Sequence, residues 1–160
     1  MRSHRTTKQL SVQGMEGRSV AAALDDGQIS SDGGSLLLRE IEQGTECIRE
    51  FARFFRDDRD QRFVEHSVES MVAQRAHGRC LGYVDLVDHD ELRKDPMMGM
   101  LFGNMGLWPL AGKGTLNRLE TATEPAQERT RCKKIAADME KMREYFVAAF
   151  VRTRKRRRRG

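Results

Sequence analysis

Cys132, Ile135, Met139, Met142, Phe146 and Ala149 follow one another at spacings of 3, 4, 3, 4 and 3. That is the heptad-like seam of one helix face, and it predicts a long helix over about residues 126–151. A helix of ~25 residues spans on the order of 37 Å, more than the core of a 160-residue chain needs along one axis. The seam therefore asks for a partner, a second copy or a related chain. The pattern runs without a stop residue into Arg152-Thr153-Arg154-Lys155-Arg156-Arg157-Arg158-Arg159-Gly160. Seven like charges with no acid among them repel one another, so the expectation for residues 152–160 is a disordered arginine-rich tail.

The same charge governs what the chain can attract. Lys and Arg number 29 against 24 Asp and Glu. The excess sits in the tail and in the first twenty residues, where Arg2, Arg5, Lys8 and Arg18 face Glu16 alone. The stretch between is acidic, so attraction to phosphate belongs to the ends or to a local patch rather than to the whole surface. Charged residues make up 33%, above the roughly 25% of an average domain; the core must be small and the chain one domain. No apolar run reaches the ~18 residues of a membrane span, and the N-terminus lacks the apolar stretch of a signal peptide. The expected setting is cytoplasmic, with no membrane partner. Cys47, Cys80 and Cys132 lie far apart and outside any C-x-x-C spacing, which predicts reduced, mostly buried thiols and no zinc site.

Residues 1–19 are polar and basic and read as a flexible leader. Ser19 to Leu24 and Gln28 to Ser31 flank Asp25-Asp26-Gly27, a hairpin signal. Ser31 or Asp32 then caps a first helix carrying Leu36, Leu37, Leu38 and Ile41 and ending near Gly44. Cys47, Ile48, Phe51, Ala52, Phe54 and Phe55 describe a second helix, up to the charged break from Arg56 to Asp60. Phe63, Val64, Val68, Met71, Val72 and Cys80 describe a third. Pro96 suits the first turn of a short apolar helix, and Thr115 caps another from Leu116 to Thr121. The fold class is mainly α: a helical bundle with a short N-terminal β-hairpin, a long C-terminal helix and a disordered basic tail.

Several constellations offer chemistry. No nucleophile elbow occurs, and Ala111-Gly112-Lys113-Gly114-Thr115 departs from a phosphate-binding loop because Gly separates the Lys from the Thr and no strand precedes it. Asp85, Asp88, His89, Asp90 and Glu91 group acids as a two-metal nuclease would, with Asp85 on a strand if residues 83–87 are extended. The surrounding strands such a site needs are missing, and acids that cap helices and pair with Arg79, Arg93 and Lys94 are the plainer account. Residues 97–120 sketch a helix, a Gly-containing break and a second helix, the outline of a helix-turn-helix reader with a connection longer than usual. There Lys113 and Arg118 would take phosphate or guanine, and Thr115 and Asn117 base edges. An ordinary capped helix explains the same residues.

The order of five segments carries more than any one of them: Ser31-Asp32-Gly33-Gly34-Ser35-Leu36-Leu37-Leu38, His66-Ser67, Gly82-Tyr83-Val84-Asp85-Leu86-Val87-Asp88-His89-Asp90, Leu92-Arg93-Lys94-Asp95-Pro96 and Gly114-Thr115-Leu116-Asn117-Arg118-Leu119-Glu120. Over about residues 20–150 this succession resembles the N-terminal region of bacterial insertion-sequence transposases of the DDE group. The resemblance implies an enzyme that recognises the DNA ends of its own mobile element and holds a divalent metal, magnesium, on three carboxylates of a ribonuclease-H-like fold. The first of those carboxylates belongs on a strand shortly beyond the long helix. This sequence has the arginine run there, as a frameshift or premature stop would produce.

The expectation is therefore a truncated transposase, with residues 20–151 as its helical N-terminal region and no catalytic residue or metal on this chain. It would bind transposon-end DNA through Lys113, Thr115, Asn117, Arg118, Arg154, Lys155, Arg156, Arg157, Arg158 and Arg159. It would meet another transposase chain through the Cys132 to Ala149 seam. The rival expectations are a small metal-dependent nuclease using Asp85 and Asp88, and a nonfunctional remnant.

Overall fold

A computed structural model describes residues 9–15, 18–23, 34–102, 109–123 and 134–157. The chain is mainly helical as expected, with seven α-helices and two two-stranded sheets among those residues. A hairpin forms, with most of the strand expected over Ser19 to Leu24 in it, but paired with a strand before it rather than after it. Strand β1 (Gln9–Met15) pairs antiparallel with β2 (Arg18–Ala23), Val12 opposite Val20. Leu10 and Val12 alternate with polar residues at the period of a strand, so part of the expected leader is extended structure. The Asp25-Asp26-Gly27 turn, Gln28 to Ser31 and the caps Ser31 and Asp32 lie outside the described residues.

Helix α1 (Ser35–Thr45) lies against β1 and ends one residue past Gly44, near where its end was expected. The break falls at Glu46, in the left-handed region at φ 50°. That conformation costs roughly 1–2 kcal/mol, and local capping works against the cost. The Glu42 carboxylate accepts the Ile48 N–H at 3.0 Å and the Arg49 N–H at 3.2 Å, satisfying the free amides at the start of α2 (Cys47–Ala52).

The charged break after α2 turns out to be strand β3 (Phe55–Asp57), paired antiparallel with β4 (Ile135–Ala137). This overturns the helix expected over 126–151 at its start. Ile135 is not on a helical seam but in a strand, buried in the main core. Asp138 then opens α7 (Met139–Arg157), its carboxylate accepting the Lys141 N–H at 3.1 Å. At the other end the helix continues through Arg152 to Arg157, where disorder was expected. Arg and Lys are good helix formers, and cations in a last turn face the negative end of the helix dipole; these terms oppose the repulsion, and no Gly or Pro intervenes before Gly160.

Helix α3 (Val68–Cys80) is the central beam. It starts at Ser67, whose Oγ accepts the Ser70 N–H at 3.1 Å, so Phe63 and Val64 lie before the helix they were expected to begin. Met71 and Val72 of α3 pack with Ala111, with Leu116 and Leu119 of α6 (Lys113–Glu120) and with Ile135. A second cluster joins Leu92 of α4 (His89–Leu92), Met98 and Leu101 of α5 (Pro96–Leu101), and Leu110. Between the two clusters sit buried polar side chains. Gln74 Nε2 donates to the Ala111 carbonyl at 2.8 Å, and the Ala111 N–H donates back to Gln74 Oε1 at 3.0 Å. His89 is fully buried, with Gln74 Nε2 3.3 Å from Nδ1 and Arg75 Nη1 3.3 Å from Nε2. Gly78 makes room for it, since a Cβ there would fall 2.7 Å from the ring. Cys47 and Cys80 are exposed, against expectation, and Cys132 lies outside the described residues.

Candidate nucleic-acid interface

The sequence-predicted cations divide into those already held by acids and those that are not. Lys113 opens α6 with its N–H on Asp90 Oδ1 at 2.9 Å and its Nζ 3.3 Å from Oδ2. Asp90 is held below the usual carboxylate range by that backbone N–H first and by the lysine charge after it. Gly112, not Thr115, occupies the N-cap. Leu116 and Leu119 turn inward, which at helical spacing leaves Thr115 and Arg118, three residues apart, together on another side. Those two line a groove of about 400 Å³ with Arg59, Asp60, Phe63, Thr121 and Lys134, floored by Val64, Ala122 and Ile135. Asn117 is exposed but not part of the groove lining.

The groove's other wall is a 3-10 turn, Gln61–Phe63, capped by Asp60. Asp60 accepts the Arg62 N–H at 3.2 Å and grips its guanidinium at 3.0 and 2.7 Å. That guanidinium holds Asp60 below the ordinary carboxylate range. Arg59 makes two 2.7 Å bonds to Asp57 and a third, at 3.0 Å, to the His66 carbonyl. A turn this short has no core face, so Phe63 stands 80% exposed. Arg118 and Lys134 have no ion-pair partner among the described residues. Sequence reading missed Phe63, Arg62 and Lys134 as site residues; the Ser67 cap, which ends any helix reading that includes Phe63, was the signal for the first.

The second cationic place is the end of α7. Arg152 and Arg154 are exposed, and Arg154 lies 5.2 Å from the centroid of the Phe150 ring. Lys155, Arg156 and Arg157 continue the helix, and Arg158 and Arg159 lie outside the described residues. The expected seam is only partly used within the chain. Met142 is buried, and Tyr145 and Phe146 meet Phe51 and Phe54 at ring separations of 5.4–6.4 Å. Phe146, Val147 and Phe150 remain more than half exposed.

The acidic segment does not assemble a metal centre. Residues 83–88 are a loop rather than a strand, Asp85 Oδ1 accepts the Val87 N–H at 2.9 Å, Asp90 serves Lys113, and His89 is enclosed by Gln74 and Arg75. Among the described residues no three His, Cys, Asp or Glu side chains converge as a divalent ion requires. Nor, among them, is any helix long and apolar enough to cross a membrane.

The fold and its surface define a mainly helical chain with a run of cations at the end of α7 and a groove lined by Arg59, Arg118 and Lys134. The model for the transposase DDE domain, group 1, matches residues 12–158. The chain belongs to that family, whose members generally use a divalent metal. No curated protein and no solved structure matches it.

Proposed function

We propose that this chain acts in transposition as a DNA-binding, non-cleaving transposase polypeptide that engages mobile-element ends. The observation that carries the proposal is the run of cations completing α7, with no acid after Glu144. Like charges at i, i+3 and i, i+4 repel by roughly 0.2–0.5 kcal/mol a pair, and phosphates laid along them would relieve that repulsion. Thr115 and Arg118 on α6, two of the side chains that sequence reading singled out, are the second contact. The α7 contact takes phosphate without reading sequence.

Salt tests this directly. Each phosphate neutralised contributes about −0.9 to the slope of log affinity against log salt, so full use of the seven tail cations gives a slope near −6. Fluorescence anisotropy with duplex DNA is expected to show such a slope and its flattening on deletion of residues 152–160. An unchanged slope would remove the tail from the contact. Cleavage is the other arm. Supercoiled DNA with magnesium is expected to stay intact, because among the described residues no three His, Cys, Asp or Glu side chains converge to hold the ion. Metal-dependent nicking that disappears in Asp85→Asn would establish the nuclease reading instead.

A further inference from the structure

Phe63 is the most exposed of the large apolar side chains described, at 80%, and it stands at the lip of the groove that Arg118 and Lys134 line. Its neighbour Arg62 lies with its guanidinium 5.7 Å from the ring centroid, fixed there by the two bonds to Asp60. The turn thus presents an aromatic ring and a planar cation side by side, both held by a local cap rather than by the core. Asp60 is the acid lining the groove, and its charge is taken up by Arg62, with Lys134 nearby. What remains is positive: Arg118 and Lys134, with Thr115 beside them in the lining.

We propose that this groove binds single-stranded DNA, an unpaired base stacking on Phe63 and the adjoining phosphates resting on Arg118 and Lys134. An exposed ring beside cations is the combination that single-strand binding uses, because every base offers a π face and every linkage a negative charge. Duplex bases have both faces covered by their neighbours, so the ring discriminates by strandedness and not by sequence. The inference rests on the reading that the chain binds DNA, but it concerns a different surface from the α7 end. Single-strand affinity carried here survives loss of the tail cations in part, whereas duplex affinity carried by the tail does not need Phe63.

The test compares a short oligothymidylate with a duplex of equal length on the full chain. Phe63→Ala is expected to weaken oligothymidylate binding about tenfold and to leave duplex binding nearly unchanged. Phe63→Tyr retains both. Phe63→Trp is expected to add a fluorescence signal, above that of Trp108, which oligothymidylate quenches and duplex does not. An exposed side chain makes these variants neutral for folding, and a thermal melt equal to that of the parent checks it. Unchanged single-strand affinity in Phe63→Ala, equal losses for both probes, or an added signal in the Phe63→Trp variant that oligothymidylate leaves unquenched would each overturn the proposal. Absence of duplex binding alone, with the single-strand effects intact, would instead overturn the tail reading.

Discussion

Replacing Gln74 by leucine is expected to destabilise the chain by about 3–5 kcal/mol, read as a lower urea midpoint with an unchanged slope. Leucine matches the volume and removes both polar ends at once. The Ala111 N–H and carbonyl, on a residue 1% exposed, then lose partners at 3.0 and 2.8 Å. Each orphaned group costs roughly 1–3 kcal/mol, and the His89 ring loses a neighbour besides. Against a total stability of roughly 5–15 kcal/mol, one side chain decides whether the domain folds. The loss reaches the interface too. Ala111 precedes the Gly112 cap of α6, so the amide of Gln74 on α3 sets where Thr115 and Arg118 enter the groove. Substitution of Gln74 by glutamate, which keeps the acceptor for the Ala111 N–H but not the donor for its carbonyl, is expected to cost more than half as much. A change below about 1 kcal/mol for leucine would mean that the segment before α6 holds its place without Gln74.

What the sequence let one read, and what it hid, divides along distance in the chain. The apolar spacing of Val68, Met71 and Val72, the Pro96 start of α5 and the inward Leu116 and Leu119 are local signals, and the helices stand on them. Ile135 fits a helical spacing equally well, yet lies in a strand because its partner is Asp57. A pairing between three-residue strands so far apart leaves no period to find. The same holds for polar residues inside. Gln74 meets Ala111 and His89 meets Arg75 through contacts that only the folded chain creates, and each alone reads as surface. Phe63 failed in the opposite direction, since an apolar residue near a helical stripe counts as core until the Ser67 cap is recognised. The arginine run misled because repulsion was weighed without helix propensity and the dipole. Of the candidate interface, Thr115 and Arg118 were legible on α6. Their association with Phe63 and Lys134 was not, because β4 and the 3-10 turn meet α6 only in three dimensions.

The buried histidine makes stability depend on pH in a window that the carboxylates do not share. Burial, first, and the Arg75 guanidinium, second, depress the His89 pKa below its ordinary value of 6.5. Asp88 just before α4, Asp90 on α4 and Glu120 on α6 pull the other way without reversing it. A folded pKa below the unfolded one means that, below about pH 6.5, the unfolded chain binds a proton the native chain refuses. Stability is therefore complete above that pH and falls as pH drops, by up to about 1.4 kcal/mol per unit until the folded pKa is reached. His66, half-buried and shifted down chiefly by burial, adds in the same direction. The lowered carboxylates Asp57, Asp60, Asp90 and Asp138 add their loss at lower pH, as they protonate through their folded values below the carboxylate range. Urea midpoints between about pH 7 and pH 5 thus isolate the imidazoles. They are expected to fall steadily in the parent chain and markedly less in His89→Gln, which keeps a neutral polar side chain between Gln74 and Arg75. The sign is the decisive reading. A parent chain that gains stability on acidification would require His89 to be protonated in the fold, against a guanidinium 3.3 Å away, and the account of the core polar network would have to be rebuilt around a different charge state.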